Sequence, residues 1–176
     1  MDILKGLNDA QREAVETTSG PLLILAGAGS GKTKTLTHRI AYLIQEKNIG
    51  PEEILAVTFT NKAAKEMRTR LGEILGMRAD SFSFMPWMGT FHGICVRILR
   101  LKGYAIGVEN NFVIYDETDR RTLIKNIIRD LKIDEKQTKP AAVSAAISNA
   151  KNQLLSAEDY ALSANWGFEQ RVAQIY

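Results

Sequence analysis

The run Ala26–Thr33, with the sequence AGAGSGKT, restricts this chain to few folds. It follows the pattern G-x-x-x-x-G-K-[ST], except that Ala26 stands at the first glycine position. Such a run works as a loop between a strand and a helix, because its backbone N–H groups and the helix N-terminus then surround phosphate oxygens. The sequence therefore predicts a phosphate-binding loop for ATP or a close relative. The alternative is a chance glycine turn before a helix.

The chemistry of the side chains assigns roles within this loop. Lys32 would bind the terminal phosphates and the Thr33 hydroxyl would ligate Mg²⁺, so we predict these two as the catalytic residues. Lys34 is basic and adjacent, although a solvated lysine in the first helical turn explains it equally well. The residues predicted to hold the nucleotide phosphates are Ala28, Gly29, Ser30, Gly31, Lys32, Thr33 and Lys34.

The segments around the loop predict an α/β fold. Short apolar runs indicate buried parallel strands, and the intervening runs have the apolar spacing of helices. The predicted strands are Leu22–Ala26, Ile54–Phe59, Trp87–Thr90 and Phe112–Tyr115. The predicted helices are residues 9–17 (capped by Asn8, with Gln11 completing a capping box), Lys32–Gln45, one capped by Asn61, and Phe91–Lys102. Their alternation predicts a parallel sheet with right-handed crossovers, flanked by helices.

After Asp116 the pattern is that of helices alone. The predicted helices are Glu117–Leu131, Pro140–Gln153, Ser156–Ala164 and Phe168 to the end. We therefore expect two domains, residues 1–111 and residues 112–176. Residues 77–87 match no motif, and we expect Gly76–Met85 to loop out. The chain stops at Tyr176 inside a helical pattern, which favours a fragment of a longer protein.

The composition indicates where the protein is located in the cell more than what it does. The chain has 176 residues, of which 45% are hydrophobic, and no apolar run is long enough to cross a bilayer. The single cysteine cannot form an internal disulfide, so we expect a cytoplasmic protein without membrane contact. The net charge of +3 arises entirely within residues 1–111. This bias indicates either a footprint for nucleic-acid phosphates or a solvated helix face.

Three further segments carry a family resemblance. Residues 7–15 (LNDAQREAV) resemble the Q motif of the superfamily-one DNA helicases of the UvrD, Rep and PcrA group. Residues 56–67 (AVTFTNKAAKEM) are similar to motif Ia of that family, and residues 89–93 (GTFHG) are similar to its motif Ib. Motif Ia is the most specific of these, because a generic phosphate loop does not require it.

The resemblance implies a RecA-like P-loop domain in residues 1–111, followed by the start of a helical accessory subdomain. ATP and Mg²⁺ would be the cofactors, with the Gln11 amide on the adenine edge, although Gln11 could instead serve only as a capping residue. Single-stranded DNA and junctions of single-stranded and duplex DNA would be the partners, together with repair or replication proteins. The residues that the resemblance places on DNA are Thr58, Phe59, Thr60, Asn61, Thr90 and His92. Without the family, Phe59 would be interpreted as a core aromatic and His92 as a structural histidine.

The complete protein would then be an ATP-dependent helicase that translocates 3′ to 5′ on single-stranded DNA, in repair or replication restart. The chain shows neither the acidic pair that holds Mg²⁺ in the family nor its arginine finger. Asp116-Glu117 imitates the acidic pair but is better explained as a helix start. One alternative is a nucleotide- and DNA-binding module that is inactive by itself. A second is the helicase part of a RecB- or AddA-like helicase–nuclease. A P-loop kinase fits less well, because it does not explain residues 59–64.

Overall fold

A computed structural model describes residues 2–27, 29–81 and 84–176. The backbone contacts divide the chain into two compact units, Met1–Asn111 and Phe112–Tyr176, and each unit has its own apolar core. None of the helices in these described ranges is long and apolar enough to cross a membrane.

In its described residues, the first unit combines four α-helices with two short strands. The helices are α1 (Asp9–Glu16), α2 (Lys32–Gln45), α3 (Asn61–Leu75) and α4 (Phe91–Lys102), and the strands are β1 (Ala56–Thr58) and β2 (Met88–Thr90). Two 3₁₀ turns, Pro51–Glu53 and Gly103–Ile106, complete the regular structure. All four helices were predicted from the sequence, and the Asn8–Gln11 capping box of α1 is present. The mixed α/β class is confirmed, while the wider sheet of a P-loop fold stays a prediction.

Strands β1 and β2 pair in parallel. Ala56 lies opposite Met88 and Thr58 lies opposite Thr90, and α3 lies between the two strands in the sequence. Parallel neighbours need such a crossover, because the chain must return to the same end of the sheet before the second strand begins. The carboxyl ends of both strands are consequently adjacent.

Two predicted strands are wrong. Leu22–Ala26 and Phe112–Tyr115 have no strand structure, and the two-stranded sheet includes neither of them. Leu23 and Leu25 are 80% and 86% exposed, whereas Leu22 and Ile24 are less than half as exposed. The exposure alternates as in an extended segment, but all five residues remain exposed. The segment has no strand partner among the described residues, and an apolar run by itself does not provide one.

The core of the first unit lies between α2, α3 and the strands. Met67 and Leu71 of α3 are buried there, as their spacing predicts, together with Ile40 of α2. Phe84 and Met85 are also buried in this core. The expectation that Gly76–Met85 loops out is therefore wrong at its end, because these two side chains are buried in one cluster with Met67 of α3 and Met88 of β2. Residues 82 and 83 lie outside the described residues.

The second unit contains helices α5 (Glu117–Asp130), α6 (Pro140–Asn152), α7 (Ala157–Ser163) and α8 (Phe168–Ile175). Its core consists of Ile124, Ile128, Val143, Val172 and Ile175. The Asp116 side chain accepts a hydrogen bond from the backbone N–H of Asp119, so it caps α5 as predicted. The four predicted helices are confirmed, and their identity as an accessory subdomain stays a prediction.

Leu71→Ala should destabilise the first unit by about 3 kcal/mol, because truncating a fully buried leucine removes apolar contacts and leaves a cavity. Urea unfolding followed by circular dichroism measures this loss. Leu101→Ala in α4 is the matched control, since Leu101 is 54% exposed. Equal stability of the two variants would contradict the assigned core.

Candidate functional site

The glycine loop leads directly into α2. Gly29 and Gly31 have φ angles of 77° and 87°, a left-handed backbone that side-chain-bearing residues adopt rarely. Gly31 is the N-cap residue of α2, so the loop ends where the N–H groups of the first helical turn are exposed. Ser30 closes the loop internally, because its hydroxyl donates to the Gly27 carbonyl at 2.6 Å. Ala28 lies outside the described residues.

Lys32 lies against the backbone of its own loop. Its ammonium donates to the carbonyl oxygens of Ala26 and Gly27 at 2.8 and 2.6 Å, and the residue is exposed. A bound phosphate would compete with these two carbonyls for the ammonium. A charged acceptor would form the stronger hydrogen bonds. The described geometry is thus compatible with the predicted role of Lys32 at the terminal phosphates.

Thr33 is half-buried in the first turn of α2. Its hydroxyl is an oxygen ligand of the kind that Mg²⁺ prefers, and Mg²⁺ in nucleotide sites takes few protein ligands besides phosphate and water. No group of three or more His, Cys, Asp or Glu side chains comes together in the part of the chain that the structure describes. The role of Thr33 at Mg²⁺ stays a prediction.

Gln11 connects α1 to the loop. Its Oε1 accepts from the Asn8 backbone N–H at 3.1 Å, and its Nε2 donates to the Ser30 carbonyl at 3.1 Å. Gln11 is therefore a capping residue, as the alternative interpretation held. These two hydrogen bonds occupy only part of the hydrogen-bonding capacity of its amide. One N–H hydrogen and one lone pair remain, which is the pair of groups an adenine edge requires. Gln11 and Lys32 line a cavity of about 360 Å³ between α1 and the loop.

The N-terminal segment is fastened to α2 by basic side chains. The Lys34 ammonium donates to the Gly6 carbonyl at 2.6 Å, and the Arg39 guanidinium donates to the Ala14 carbonyl at 2.6 Å. His38 Nδ1 hydrogen-bonds the Ile3 carbonyl. Lys34 thus serves a structural contact, and its role at the nucleotide stays a prediction. His38 and Arg39 were missed, because no sequence pattern indicates which backbone carbonyls lie beside α2.

At the carboxyl end of each strand, a threonine caps the helix that follows: Thr60 caps α3 after β1, and Thr90 caps α4 after β2. The Thr60 hydroxyl accepts from the Ala63 N–H at 3.1 Å, and the Thr90 hydroxyl accepts from the Gly93 N–H at 3.2 Å. The prediction that Asn61 caps α3 is wrong by one residue, because Thr60 has the extended backbone of an N-cap. The Thr58 hydroxyl donates to the Thr60 carbonyl at 3.1 Å. Helices α3 and α4 consequently begin at the neighbouring ends of β1 and β2.

Two phenylalanines stand at these strand ends. Phe59 is 91% exposed, so the alternative that it is a core aromatic is wrong. Phe91, which the sequence did not single out, lies with its ring centroid 5.6 Å from that of Phe59. His92 is exposed beside it. An exposed aromatic pair held at a sheet edge offers flat surfaces on which nucleobases can stack.

Several basic side chains of this unit are bound internally. Arg68 donates to three backbone carbonyls, and Arg78 forms a salt bridge with Asp80 at 2.9 Å. Arg97 lies over the Trp87 ring at 4.5 Å and donates to the Pro86 carbonyl. Arg100 donates to the Asn110 carbonyl. Arg68, Arg97 and Arg100 thus contact their own unit, whereas Arg78 is paired on the exposed surface. The choice between a phosphate footprint and a solvated helix face stays a prediction.

Known proteins resemble the chain along nearly its whole length. The family model described as UvrD/REP helicase N-terminal domain matches residues 7–176. The proteins named ATP-dependent DNA helicase PcrA from Leuconostoc citreum and Staphylococcus epidermidis are each 51% identical over 174 residues. The protein of that name from Bacillus subtilis is 49% identical over 174 residues. Each match covers 99% of this chain and 23% of the relative, so the chain spans about a quarter of the length of these relatives.

Proposed function

The chain belongs to the UvrD/REP helicase N-terminal domain family, and from this premise we propose that it is the ATP-binding N-terminal part of an ATP-dependent DNA helicase. The complete protein would translocate 3′ to 5′ along single-stranded DNA and unwind duplexes, in DNA repair or replication restart in the cytoplasm. The observation that carries the proposal is the presence, in one α/β unit, of a glycine loop that leads into α2 and of two adjoining strand ends with exposed aromatic rings.

The loop would bind ATP with Mg²⁺. Backbone N–H groups of residues 28–31 and the α2 N-terminus attract the phosphates, and the Lys32 ammonium neutralises the charge at the terminal ones. Thr33 would supply a hydroxyl ligand to the metal, which would neutralise part of the phosphate charge. Gln11, held 3.1 Å from the Ser30 carbonyl, is adjacent to the loop and can bind the adenine edge with its remaining donor and acceptor. Lys34 is proposed as a further phosphate neighbour.

The strand ends would bind single-stranded DNA. Phe59 offers a face for base stacking, and the polar groups around it can contact the sugar–phosphate backbone. These are Thr58, Thr60, Asn61, Thr90 and His92. Stacking tolerates any base, so this surface suits a motor that moves along DNA irrespective of sequence. Single-strand/duplex junctions, and repair or replication proteins, are the proposed further partners.

Strand displacement by the longer protein that contains this sequence tests the proposal. A duplex with a 3′ single-stranded tail should be unwound with ATP and Mg²⁺ present, and a duplex with only a 5′ tail should not. Unwinding of RNA alone, or no unwinding with ATP present, would refute the helicase function. Preference for the 5′ tail would refute only the direction.

The observation favouring a second candidate is that Asp116-Glu117, which imitates the family's acidic pair in the sequence, starts α5 and follows no strand. A loop without acidic metal ligands and an arginine finger lacks the main electrostatic stabilisation of phosphoryl transfer. Residues 1–176 alone would then form a nucleotide- and DNA-binding module with negligible ATPase activity. Measured turnover that Lys32→Ala abolishes would exclude this candidate.

Lys32→Ala should weaken ATP binding by at least about tenfold, because it removes the charge-assisted hydrogen bonds to the terminal phosphates. Titration with a fluorescent ATP analogue measures the dissociation constant. Lys5→Ala, which removes an exposed lysine of the same unit, should leave it unchanged. An unaltered constant in Lys32→Ala would place the nucleotide elsewhere.

Phe59→Ala should raise the Kd for a short oligothymidylate about tenfold, because base–aromatic stacking contributes about 1–3 kcal/mol. Fluorescence anisotropy with a labelled oligonucleotide measures this change. Tyr104→Ala is the matched control, since it removes another exposed aromatic ring from the same unit. Equal affinity of the two variants would show that Phe59 does not stack on DNA.

A further inference from the structure

Arg68 of α3 is bonded to the segment that enters β2. Its Nη1 donates to the Phe84 carbonyl at 2.9 Å, and its Nη2 donates to the carbonyls of Met85 and Met88 at 3.0 and 2.9 Å. One guanidinium thus joins three backbone oxygens within five residues. The planar fork of arginine can satisfy several acceptors at once, which the point charge of a lysine ammonium cannot do to the same extent.

These three carbonyls belong to a turn with an unfavourable backbone. Met85 is fully buried and has a φ angle of 66°, which is uncommon for a residue with a side chain. The Met88 N–H donates to the Met85 carbonyl at 3.2 Å and closes the turn. Arg68 bonds the carbonyls of both Met85 and Met88, so it holds the turn at each end and offsets the strain of its backbone.

The turn sets the position of β2 and of the residues that follow. The Trp87 carbonyl accepts from the Ala56 N–H at 3.0 Å, which begins the pairing of β1 and β2. Two residues after Met88 comes Thr90, the N-cap of α4, followed by Phe91 and His92. A shift of the turn would therefore displace this strand end relative to Phe59.

The charge of Arg68 is satisfied by backbone dipoles. Among the described residues it forms no salt bridge, so no carboxylate compensates its burial. This partial burial lowers the pKa of Arg68 through desolvation, although an arginine stays protonated at neutral pH. Arg68 also lines a cavity of about 520 Å³ with Asn61 and Thr90. A direct contact with a phosphate in that cavity is therefore the competing role.

We propose that Arg68 is a positioning residue for DNA binding, which holds the strand end Thr90–His92 in register with Phe59 through three backbone carbonyls. It does not itself contact the DNA backbone. This inference rests on the proposed binding of single-stranded DNA at the two strand ends.

The test compares Arg68→Met, Arg68→Lys and the matched control Arg70→Met, which removes the same charge from an exposed position of the same helix. Anisotropy with labelled oligothymidylate at several salt concentrations gives the DNA dissociation constant and its salt dependence. A fluorescent ATP analogue gives the nucleotide dissociation constant, and circular dichroism gives the thermal midpoint, so that binding is measured well below unfolding.

We expect Arg68→Met to raise the DNA Kd about tenfold and Arg68→Lys about threefold, with the ATP Kd unchanged in both. Arg70→Met should change the DNA Kd less than twofold, a modest effect expected of a lost exposed charge. The slope of log K against log salt should be the same for Arg68→Met as for the wild type. A direct phosphate contact would instead lower its magnitude by about 0.7.

Three results would overturn the inference. These are wild-type DNA affinity in Arg68→Lys and Arg68→Met, an equal loss in Arg70→Met, and a reduced salt slope in Arg68→Met. Should Arg68→Met not fold, the affinity of Arg68→Lys decides, because lysine keeps the charge that a phosphate contact needs but loses the planar fork. A raised DNA Kd then supports the positioning role, and wild-type affinity overturns it. Failure of the wild-type chain to bind the oligonucleotide would refute the DNA site itself, and that result is distinct from any difference among the variants.

Discussion

The parallel pairing of β1 and β2 is the interaction on which the DNA-facing part of this chain depends. Placing Thr58 opposite Thr90 brings the ends of two separate segments to one edge, and each end begins a helix. The two threonine caps orient the first turns of α3 and α4, and the phenylalanine rings come within 5.6 Å of each other. A one-residue slip of register would reverse the sides of the sheet on which these side chains lie.

For the proposed nucleotide site, the corresponding structural element is helix α2. The glycine loop ends at the N-terminus of this helix. In the following turns, Lys34, His38 and Arg39 hydrogen-bond backbone carbonyls of the segment that precedes the loop. The helix that carries Gln11 is thereby fixed to the helix that carries Lys32. Adenine recognition and phosphate binding, as proposed, would depend on the same rigid pair of helices.

Much of this arrangement could be predicted from the sequence, because it is determined locally. The spacing of apolar residues defined α2 and α4, and the Asn8–Gln11 pair defined the start of α1. The cap at Thr60 was missed because threonine and asparagine are both good N-cap residues, and only the backbone angles decide between them.

Other features could not be predicted because they depend on distant partners. Leu22–Ala26 has the composition of a buried strand, but pairing needs a neighbour that composition cannot supply. The burial of Phe84 and Met85, and the bonding of Arg68 to their carbonyls, arise from the packing of α3 against the segment before β2. Phe91 was overlooked because only the strand register brings it next to Phe59.

The extended segment Leu22–Ala26 has a consequence for how the isolated chain behaves in solution. It pairs with no strand among the described residues, and Leu23 and Leu25 are exposed. An open, apolar edge of this kind is a template for another strand, whichever molecule supplies it. Self-association of the isolated chain should therefore grow with its concentration and begin at this segment, immediately before the phosphate loop.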